Sequence, residues 1–351
     1  MRGTPVIAIT AGDPCGIGPE VILKALAHRR ALPRAHLVII GDLGVFQQAA
    51  TQLRQHLPSW SVVSPGQSWP LRAARPVFIH VAHPYRFMPG RPSAHAGEAA
   101  LDYLAHAVTL ARHGRLQALV TAPVTKWAVQ RHHRGFVGHT EYLAGALKVR
   151  RVAMMFASDR LRVVLLTRHV PLSSAGRLVN TALVRDTLRL TVETLRRRFG
   201  IRRPRIGICG LNPHAGEQGL FGTEERRILP VIQGLNRARR IFDGPMAADS
   251  CFANAAHSTP LRAASRAQSR DAARYDAIVC WYHDQGLIPF KMVARDRGCQ
   301  LTLGLPIVRT SPDHGSALDI AGRGLAHPGS MRYALNLAAR LAARLVKPDS
   351  C

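Results

Sequence analysis

Four histidines in this 351-residue sequence lie just beyond short apolar runs, where their imidazoles could do chemistry. They are His139, His169, His214 and His283. If the apolar runs are parallel strands, their carboxyl ends share one edge of a sheet, and residues far apart in sequence can meet there. Three neutral imidazoles around an open position suit a divalent catalytic metal, which polarises a substrate oxygen. A hydrogen-bonded structural role is the alternative for each histidine, and the residues alone do not decide between the two.

Two cations in the C-terminal part of the chain could bind an anionic substrate group. Lys291 is one of only five lysines and lies eight residues after His283. Arg309 closes the apolar stretch Leu305–Val308. Phosphates and carboxylates are the ligands that such side chains bind best. A solvated surface position is the alternative for both, and arginine is common throughout this chain.

Two segments rich in glycine and other small residues could let the backbone approach a flat ligand closely. The first, AGDPCGIGPE, occupies Ala11–Glu20, and the second, DHGSALDIAGRG, occupies Asp313–Gly324. Val21 stands where a GxGxxG fingerprint needs its third glycine, so the ordinary dinucleotide-binding motif is absent. A turn with only a structural role is the alternative for each segment.

An α/β fold with a largely parallel sheet must position these residues, because short β-branched runs alternate with longer segments of helical period. The predicted strands are Val6–Thr10, His36–Gly41, Val77–Val81, Ala118–Thr121, Val152–Ala157, Arg162–Thr167, Arg205–Cys209, Asp276–Cys280 and Gln300–Leu303. The predicted helices are Glu20–Arg29, Glu98–Arg112, Thr181–Phe199, Glu224–Arg239 and Met331–Val346. Ser59–Pro76 and the Ala-, Ser- and Arg-rich Asn254–Arg274 are expected to be surface loops, the second of them mobile.

The composition excludes some classes of function without selecting one. The net charge is +27, yet 43 of the 48 basic residues are arginines scattered among alanines, without the one-sided basic helix expected of a nucleic-acid-binding protein. Six cysteines without a CxxC pair do not indicate a disulfide framework or a zinc knuckle. Neither a signal sequence nor an apolar stretch of membrane-spanning length is present. We therefore expect a cytoplasmic protein that binds neither nucleic acid nor membrane.

Taken together, these segments resemble the 4-hydroxythreonine-4-phosphate dehydrogenase family over nearly the whole chain. The resemblance is carried, in matching order and spacing, by AGDPCGIGPE, TAPVTK, GHTEYLA, LNPHAGEQGLFGTEE, YHDQGL and LTLGLPIVRTSPDHGSALDIAGRG. It implies a two-domain, isopropylmalate-dehydrogenase-like α/β fold, non-Rossmann, with an interdomain cleft. Residues 1–125 plus 304–351 would form the cofactor-side domain, and residues 126–303 the metal, substrate and dimerisation domain. The resemblance also implies a homodimer in which both subunits build each active site.

The same resemblance implies roles for individual residues. The implied ligands of a divalent metal, zinc or else magnesium or cobalt, are His169, His214 and His283. The implied substrate contacts are His139, Thr140, Lys291, Gln300 and Arg309. The implied contacts of NAD or NADP are His314, Gly315, Ser316, Ala317 and Asp319. The family has asparagine at the position of Gln300, whose side chain is one methylene longer.

The resemblance further implies NAD(P)-dependent oxidation of 4-hydroxythreonine 4-phosphate at C3, followed by decarboxylation to 3-amino-2-oxopropyl phosphate in pyridoxal phosphate biosynthesis. A dehydrogenase of a phosphorylated four-carbon sugar acid, erythronate or threonate 4-phosphate, is the alternative that Gln300 leaves open. The intact GHTE segment and Lys291 disfavour an aromatic cis-dihydrodiol carboxylate, the substrate of another branch of the superfamily. The acceptor of the hydroxyl proton stays open among Lys126, Asp249 and Asp284.

Overall fold

The computed structural model describes residues 4–27, 32–69, 75–256 and 275–345. The chain forms two compact units: the first comprises residues 1–150 and 305–351, and the second comprises residues 151–304. The sequence analysis expected the boundary at residue 125, whereas the chain leaves the first unit after residue 150 and returns to it at residue 305. The difference arises because two short helices that follow residue 125 belong to the first unit.

The described part of the first unit contains a six-stranded parallel sheet. Its strands, numbered along the whole chain, are β1 (Val6–Thr10), β2 (His36–Gly41), β3 (Ser61–Val63), β4 (Val77–His80), β5 (Ala118–Thr121) and β12 (Val308–Pro312). They lie side by side in the order β3-β4-β2-β1-β5-β12, and neighbouring strands are parallel. The central strands are buried and mostly apolar along their whole length, which is typical of a parallel sheet covered by helices.

The described part of the second unit also contains six strands, but its sheet is mixed. They are β6 (Ala153–Ser158), β7 (Arg162–Leu165), β8 (Ile206–Cys209), β9 (Phe242–Met246), β10 (Ala277–Cys280) and β11 (Gly298–Leu303). Their order is β11-β6-β7-β10-β8-β9. β6 is antiparallel to both of its neighbours, whereas β7, β10, β8 and β9 run parallel. The carboxyl ends of these four strands therefore form one edge of the sheet.

Helices of very different lengths connect the strands. In the first unit they are α1 (Gly18–Leu26), α2 (Leu43–Gln52), α3 (Ala94–Arg112), α4 (Lys126–Gln130), α5 (His139–Ala146) and α11 (Gly329–Ala342). In the second unit they are α6 (Leu172–Leu178), α7 (Thr181–Arg197), α8 (Glu224–Asn236), α9 (Ala248–Ala256) and α10 (His283–Ala294). Within the described ranges, no helix combines the length and the apolar composition that crossing a lipid bilayer requires.

The strand predictions from sequence are confirmed to within two residues at each end, but three strands were missed. β3, β9 and β12 are the missed strands. Because β3 pairs with β4 and the Trp60 ring stacks on Phe78 with centroids 4.8 Å apart, the prediction of a surface loop over Ser59–Pro76 is wrong for its first part. In the other predicted loop, Asn254–Arg274, the first three residues end α9, and residues 257–274 lie outside the described residues.

Candidate functional site

Three of the four histidines lie at the ends of three adjacent parallel strands in the second unit. β10 pairs with β7 on one side and with β8 on the other. His169 lies in the segment after β7, His283 begins α10 just beyond β10, and His214 lies in the turn Pro213–Gly219 after β8. The sequence argument predicted this arrangement from the apolar runs. We call the three side chains the histidine edge.

His169 and His283 lie side by side on this edge. Their ring centroids are 5.8 Å apart, with 41° between the ring planes. Thr167 holds the two segments together, because its backbone N–H and its hydroxyl both donate to the Trp281 carbonyl, at 3.1 Å and 2.6 Å. The two rings line a cavity of about 280 Å³, together with Thr167, Val170, Leu172, Tyr282 and Asp284. The site is therefore concave and mixes apolar walls with imidazoles.

A carboxylate orients the ring of His283. Nδ1 of His283 lies 2.6 Å from Oδ1 of Asp284. A histidine that donates one ring N–H to a carboxylate keeps its other nitrogen available as an acceptor or metal ligand. Nε2 of His283 is therefore the nitrogen that the chain leaves for a ligand.

The turn that carries His214 has an unusual backbone held by a buried carboxylate. His214 has φ of 53°, and Ala215, Glu217 and Gln218 are also left-handed, which costs free energy at non-glycine residues. Glu225 is 4% exposed, and its Oε1 accepts the backbone N–H groups of Leu211 and Asn212, both at 2.8 Å. These hydrogen bonds help to offset the strain that places the His214 ring.

Hydrogen bonds also join the turn after β8 to the segment after β10. Nε1 of Trp281 donates to the Cys209 carbonyl at 2.7 Å, and Nε2 of Gln285 donates to the Gly210 carbonyl at 2.7 Å. Trp281 is fully buried, so its indole N–H has no access to water and needs this acceptor. The backbone segments that present His214 and His283 are thus fixed relative to each other.

The donor set of the histidine edge is chemically suited to a divalent transition metal, for which neutral imidazole is a preferred ligand. Within a single chain, however, His169, His214 and His283 do not bring three ligand nitrogens within 4.8 Å of one another. Among the described residues, the one group that meets this separation is His95, Glu98 and His132 in the first unit. The sequence analysis did not single out that group, in which His95 and Glu98 lie on α3 and His132 follows α4.

Three of the expected substrate residues lie in the first unit. His139 and Thr140 begin α5, and Arg309 lies in β12 beside β5. The Arg309 guanidinium is buried, and its Nη2 donates to Oγ1 of Thr121 at 2.6 Å. Burial, together with the positive charges of Arg309 and Lys126, holds the pKa of His139 well below its usual value. His139 is therefore a neutral imidazole near two cations.

The other two expected substrate residues lie in the second unit. Lys291 is exposed on α10, two turns after His283. Gln300 is buried in β11, where its Nε2 donates to Oγ1 of Thr302 at 3.0 Å. The side-chain amide of Gln300 therefore already has one intrachain acceptor.

The two glycine-rich segments meet in the first unit, a contact that sequence reasoning did not predict. The Ile17 backbone N–H donates to the Ser316 carbonyl at 3.0 Å, and Oγ of Ser316 lies 3.1 Å from Oγ1 of Thr125. Nζ of Lys24 donates to Oε1 of Glu20 at 2.7 Å and to the Gly324 carbonyl at 2.8 Å. The two segments thus pack together, with the first buried and the second partly exposed, and we call them the small-residue surface.

The expected cofactor residues lie along the second of these segments. His314 is half-buried, and its Nδ1 lies 3.0 Å from the Gly315 carbonyl oxygen. Ala317 has φ of 40°, whereas Asp319 and Gly315 are exposed. The backbone therefore turns sharply at Ala317 and leaves a carboxylate facing solvent two residues later.

The three candidate proton acceptors have different surroundings. Lys126 is exposed at the start of α4. Oδ1 of Asp249 accepts the Ser250 backbone N–H at 2.7 Å, and Asp284 is engaged with His283. A third carboxylate, Asp13, was not singled out: it is 1% exposed, and burial raises its pKa. Its place inside the segment AGDPCGIGPE is the signal that could have identified it.

The chain is similar to known proteins over nearly its whole length. The family described as "Pyridoxal phosphate biosynthetic protein PdxA" matches residues 33–338. A 4-hydroxythreonine-4-phosphate dehydrogenase of Desulforapulum autotrophicum is 41% identical over 337 residues, 95% of each chain. A D-threonate 4-phosphate dehydrogenase of Cupriavidus necator is 39% identical over 97% of this chain and 98% of its own. The crystal structure of a 4-hydroxythreonine-4-phosphate dehydrogenase from Klebsiella pneumoniae superposes with a TM-score of 0.80 at 32% identity, covering 97% of this chain and 98% of that one.

Proposed function

This chain belongs to the family of pyridoxal phosphate biosynthetic proteins, and from that membership we propose that it is a 4-hydroxythreonine-4-phosphate dehydrogenase. In the proposed reaction a hydride leaves C3 of the substrate for NAD(P), and the C3 hydroxyl loses its proton. The product, 2-amino-3-oxo-4-phosphooxybutanoate, is a β-keto acid. It loses CO2 to give 3-amino-2-oxopropyl phosphate.

The histidine edge is the observation that carries the metal-dependent part of the proposal. His169, His214 and His283 would hold the divalent metal, zinc or else magnesium or cobalt, once their ligand nitrogens come closer together than they lie within a single chain. When bound, such an ion supplies Lewis-acid polarisation of a substrate oxygen and stabilises negative charge. The chain contributes the orientation: Asp284 sets the His283 ring, and Glu225 holds the turn of His214.

The cationic residues would bind the phosphate of the substrate. A guanidinium that is buried and already hydrogen-bonded to Thr121, as in Arg309, loses little side-chain freedom when an anion binds. Lys291, which is exposed on α10, would supply a second positive charge. Binding energy from the phosphate end can position the distant C3 carbon for reaction.

His139 and Thr140 would contact the reacting part of the substrate. Because the pKa of His139 is low, its imidazole stays neutral at physiological pH and can accept a hydrogen bond from a substrate hydroxyl. Thr140 is buried directly beside it in α5. A protonated His139 would instead add a third positive charge beside Arg309 and Lys126.

The small-residue surface of the first unit would bind NAD(P). The residues proposed to contact it are His314, Gly315, Ser316, Ala317 and Asp319. Small side chains let a backbone approach a dinucleotide closely, and the exposed Asp319 carboxylate can accept hydrogen bonds from ribose hydroxyls. The bound nicotinamide supplies the hydride acceptor.

We propose that the protein acts as a homodimer whose subunits share active sites. Apolar side chains are exposed close to the histidine edge along the chain, on α6, on α10 and after the turn Pro213–Gly219. They are Leu172, Leu220, Phe221, Ile288 and Met292, and the last is 74% exposed. Large exposed apolar side chains mark an interaction surface where they lie together. A second copy of the chain would cover these side chains.

We also propose that the reaction takes place in the cytoplasm, where NAD(P) is available.

Threonate 4-phosphate is the second candidate substrate. The relative from Cupriavidus necator that carries this activity in its name supports it, as does Gln300 at the family's asparagine position. The two substrates differ at C2, which bears an ammonium group in one and a hydroxyl in the other. A site that pairs with one of these groups discriminates against the other.

A comparison of substrates tests the proposal. NAD(P) reduction is measured with 4-hydroxythreonine 4-phosphate, threonate 4-phosphate and erythronate 4-phosphate at equal concentrations. We expect the highest kcat/KM for 4-hydroxythreonine 4-phosphate, and a Gln300→Asn variant that keeps or lowers its KM. A higher kcat/KM for either sugar acid would contradict the proposal and favour a dehydrogenase of a phosphorylated sugar acid. A large rise in the KM for 4-hydroxythreonine 4-phosphate in the Gln300→Asn variant would do the same.

A further inference from the structure

His95, Glu98 and His132 form a cluster of three metal-ligating side chains in the first unit. Nδ1 of His95 lies 3.7 Å from Oε2 of Glu98, and Nε2 of His132 lies 4.0 Å from the same oxygen. All three ligand atoms lie within 4.8 Å of one another. We propose that this cluster binds a divalent transition-metal cation such as zinc, at a site distinct from the histidine edge of the second unit.

Two of the ligands belong to the first turns of α3. Oγ of Ser93 accepts the Ala96 backbone N–H at 3.1 Å and so caps the helix. His95 and Glu98 are three residues apart, a spacing that places two side chains on the same face of a helix. The cap therefore fixes the backbone from which both side chains reach the same point.

The third ligand is brought to α3 by a close approach of backbones. Gly97 packs directly against α4, and a Cβ at Gly97 would lie 2.2 Å from the carbonyl carbon of Ala128. His132 follows α4, and its backbone N–H donates to the Val129 carbonyl at 3.1 Å. Because only glycine permits this approach, the position of His132 relative to α3 is determined by the packing.

The ring of His95 is already oriented. It stacks on Tyr85 with centroids 3.8 Å apart and 19° between the planes. Stacking restricts rotation of the imidazole, so less freedom is lost when a cation binds. The segment after α4 is also anchored, because Nε2 of Gln130 donates to the Phe136 carbonyl at 2.9 Å.

The separations are close to those of a coordinated ion. Bonds of about 2.0–2.2 Å in a tetrahedral site place ligand atoms roughly 3.4 Å apart. The observed 3.7 Å and 4.0 Å are slightly wider, and small rotations of these partly exposed side chains can close the difference. Two imidazoles and one carboxylate suit zinc or cobalt, whereas calcium and magnesium prefer oxygen ligands only. A fourth position remains open to water.

Zinc binding to the full-length chain tests the proposal. Equilibrium dialysis against Zn²⁺ alone, after removal of metal with a chelator, is performed in the His214→Ala background to impair the histidine edge. We expect His132→Ala in this background to bind one zinc fewer per chain than the background protein alone. Because loss of even an outer partner of a metal ligand lowers affinity about 10–100-fold, we expect Glu98→Gln to bind zinc at least about tenfold more weakly. His133→Ala is the matched control, since His133 is a neighbouring exposed histidine outside the cluster.

The outcome does not depend on the proposed enzymatic function. Unchanged zinc stoichiometry and affinity in His132→Ala would overturn the proposal and leave the cluster as an ion-pair group. An equal loss in His133→Ala would overturn it as well, because it would indicate unspecific binding to surface histidines. Substitutions at such exposed positions change stability little, so loss of folding is not expected to obscure the result.

Discussion

The two units carry proposed binding surfaces that are built from different chemical groups. In the first unit, backbone segments of small residues meet around Ser316, and a side chain at the wrong place would push them apart. In the second unit, imidazoles follow three adjacent strands. A hydrogen bond to Asp284 orients the ring of His283, and hydrogen bonds to Glu225 hold the backbone next to His214. The first surface depends on the absence of side chains, and the second depends on their presence. A side chain added in the first unit should therefore lower the stability of the chain. A side chain changed at the histidine edge of the second unit should instead lower the affinity for a metal.

Gly12 gives the largest expected effect on stability in the first unit. It has φ of 70°, and an added Cβ would lie 2.3 Å from the Pro123 carbonyl oxygen. Gly12→Ala should lower the free energy of unfolding by about 3 kcal/mol or more, because a left-handed backbone and a backbone clash add together. Urea denaturation followed by circular dichroism measures the change.

Gly315→Ala is the control for this prediction. Gly315 lies in the same surface, but an added Cβ would meet no atom within 4 Å. We expect a change within about 0.5 kcal/mol. Equal losses in the two variants would show that close backbone approach is not what builds this surface.

Asp284→Asn tests the second unit, where we expect a loss of metal affinity without a loss of stability. The carboxylate lies 2.6 Å from Nδ1 of His283, and outer partners of this kind are worth about 10–100-fold in metal affinity. Zinc titration of the full chain measures the effect, with Asp249→Asn as the matched exposed control. Unchanged affinity in Asp284→Asn would contradict the orienting role.

His139 is an exception in the first unit, because it is an imidazole rather than a small residue, and it gives the smallest expected effect. Its pKa in the folded chain is below the usual 6.5, so below that pH the unfolded chain binds a proton that the folded chain does not. The free energy of unfolding should fall as pH drops below 6.5, by at most about 1.4 kcal/mol per pH unit.

His139→Gln should remove this part of the pH dependence. Urea denaturation at about one pH unit above and one below the usual pKa of histidine gives the difference for each protein. We expect the wild-type chain to lose more stability on acidification than the variant does. Parallel losses would mean that His139 is protonated in the folded chain, and that the low pKa inferred from its surroundings is wrong.

Sequence patterns identified the strands and the residues beyond their ends because both are local features. β7, β8 and β10 are short apolar runs, and each is followed within a few residues by His169, His214 or His283. The parallel pairing of these strands then brings the histidines to one edge. The same reasoning did not predict α5 and α10, which begin at His139 and His283.

Other features depend on contacts that no local pattern contains. The contact between Ile17 and Ser316 joins segments about 300 residues apart in sequence, and each segment alone is typical of an ordinary turn. The left-handed backbone at His214 is held by Glu225, which lies in another helix. The cluster of His95 and His132 depends on the packing of α3 against α4.

Zinc bound per chain is the most direct test of the central claim that the histidine edge holds a metal. Equilibrium dialysis in the His132→Ala background leaves the histidine edge as the expected site, and circular dichroism monitors the fold. We expect one zinc per chain in His132→Ala and none in the double variant with His214→Ala, with the fold unchanged. Equal zinc in the two proteins would contradict it.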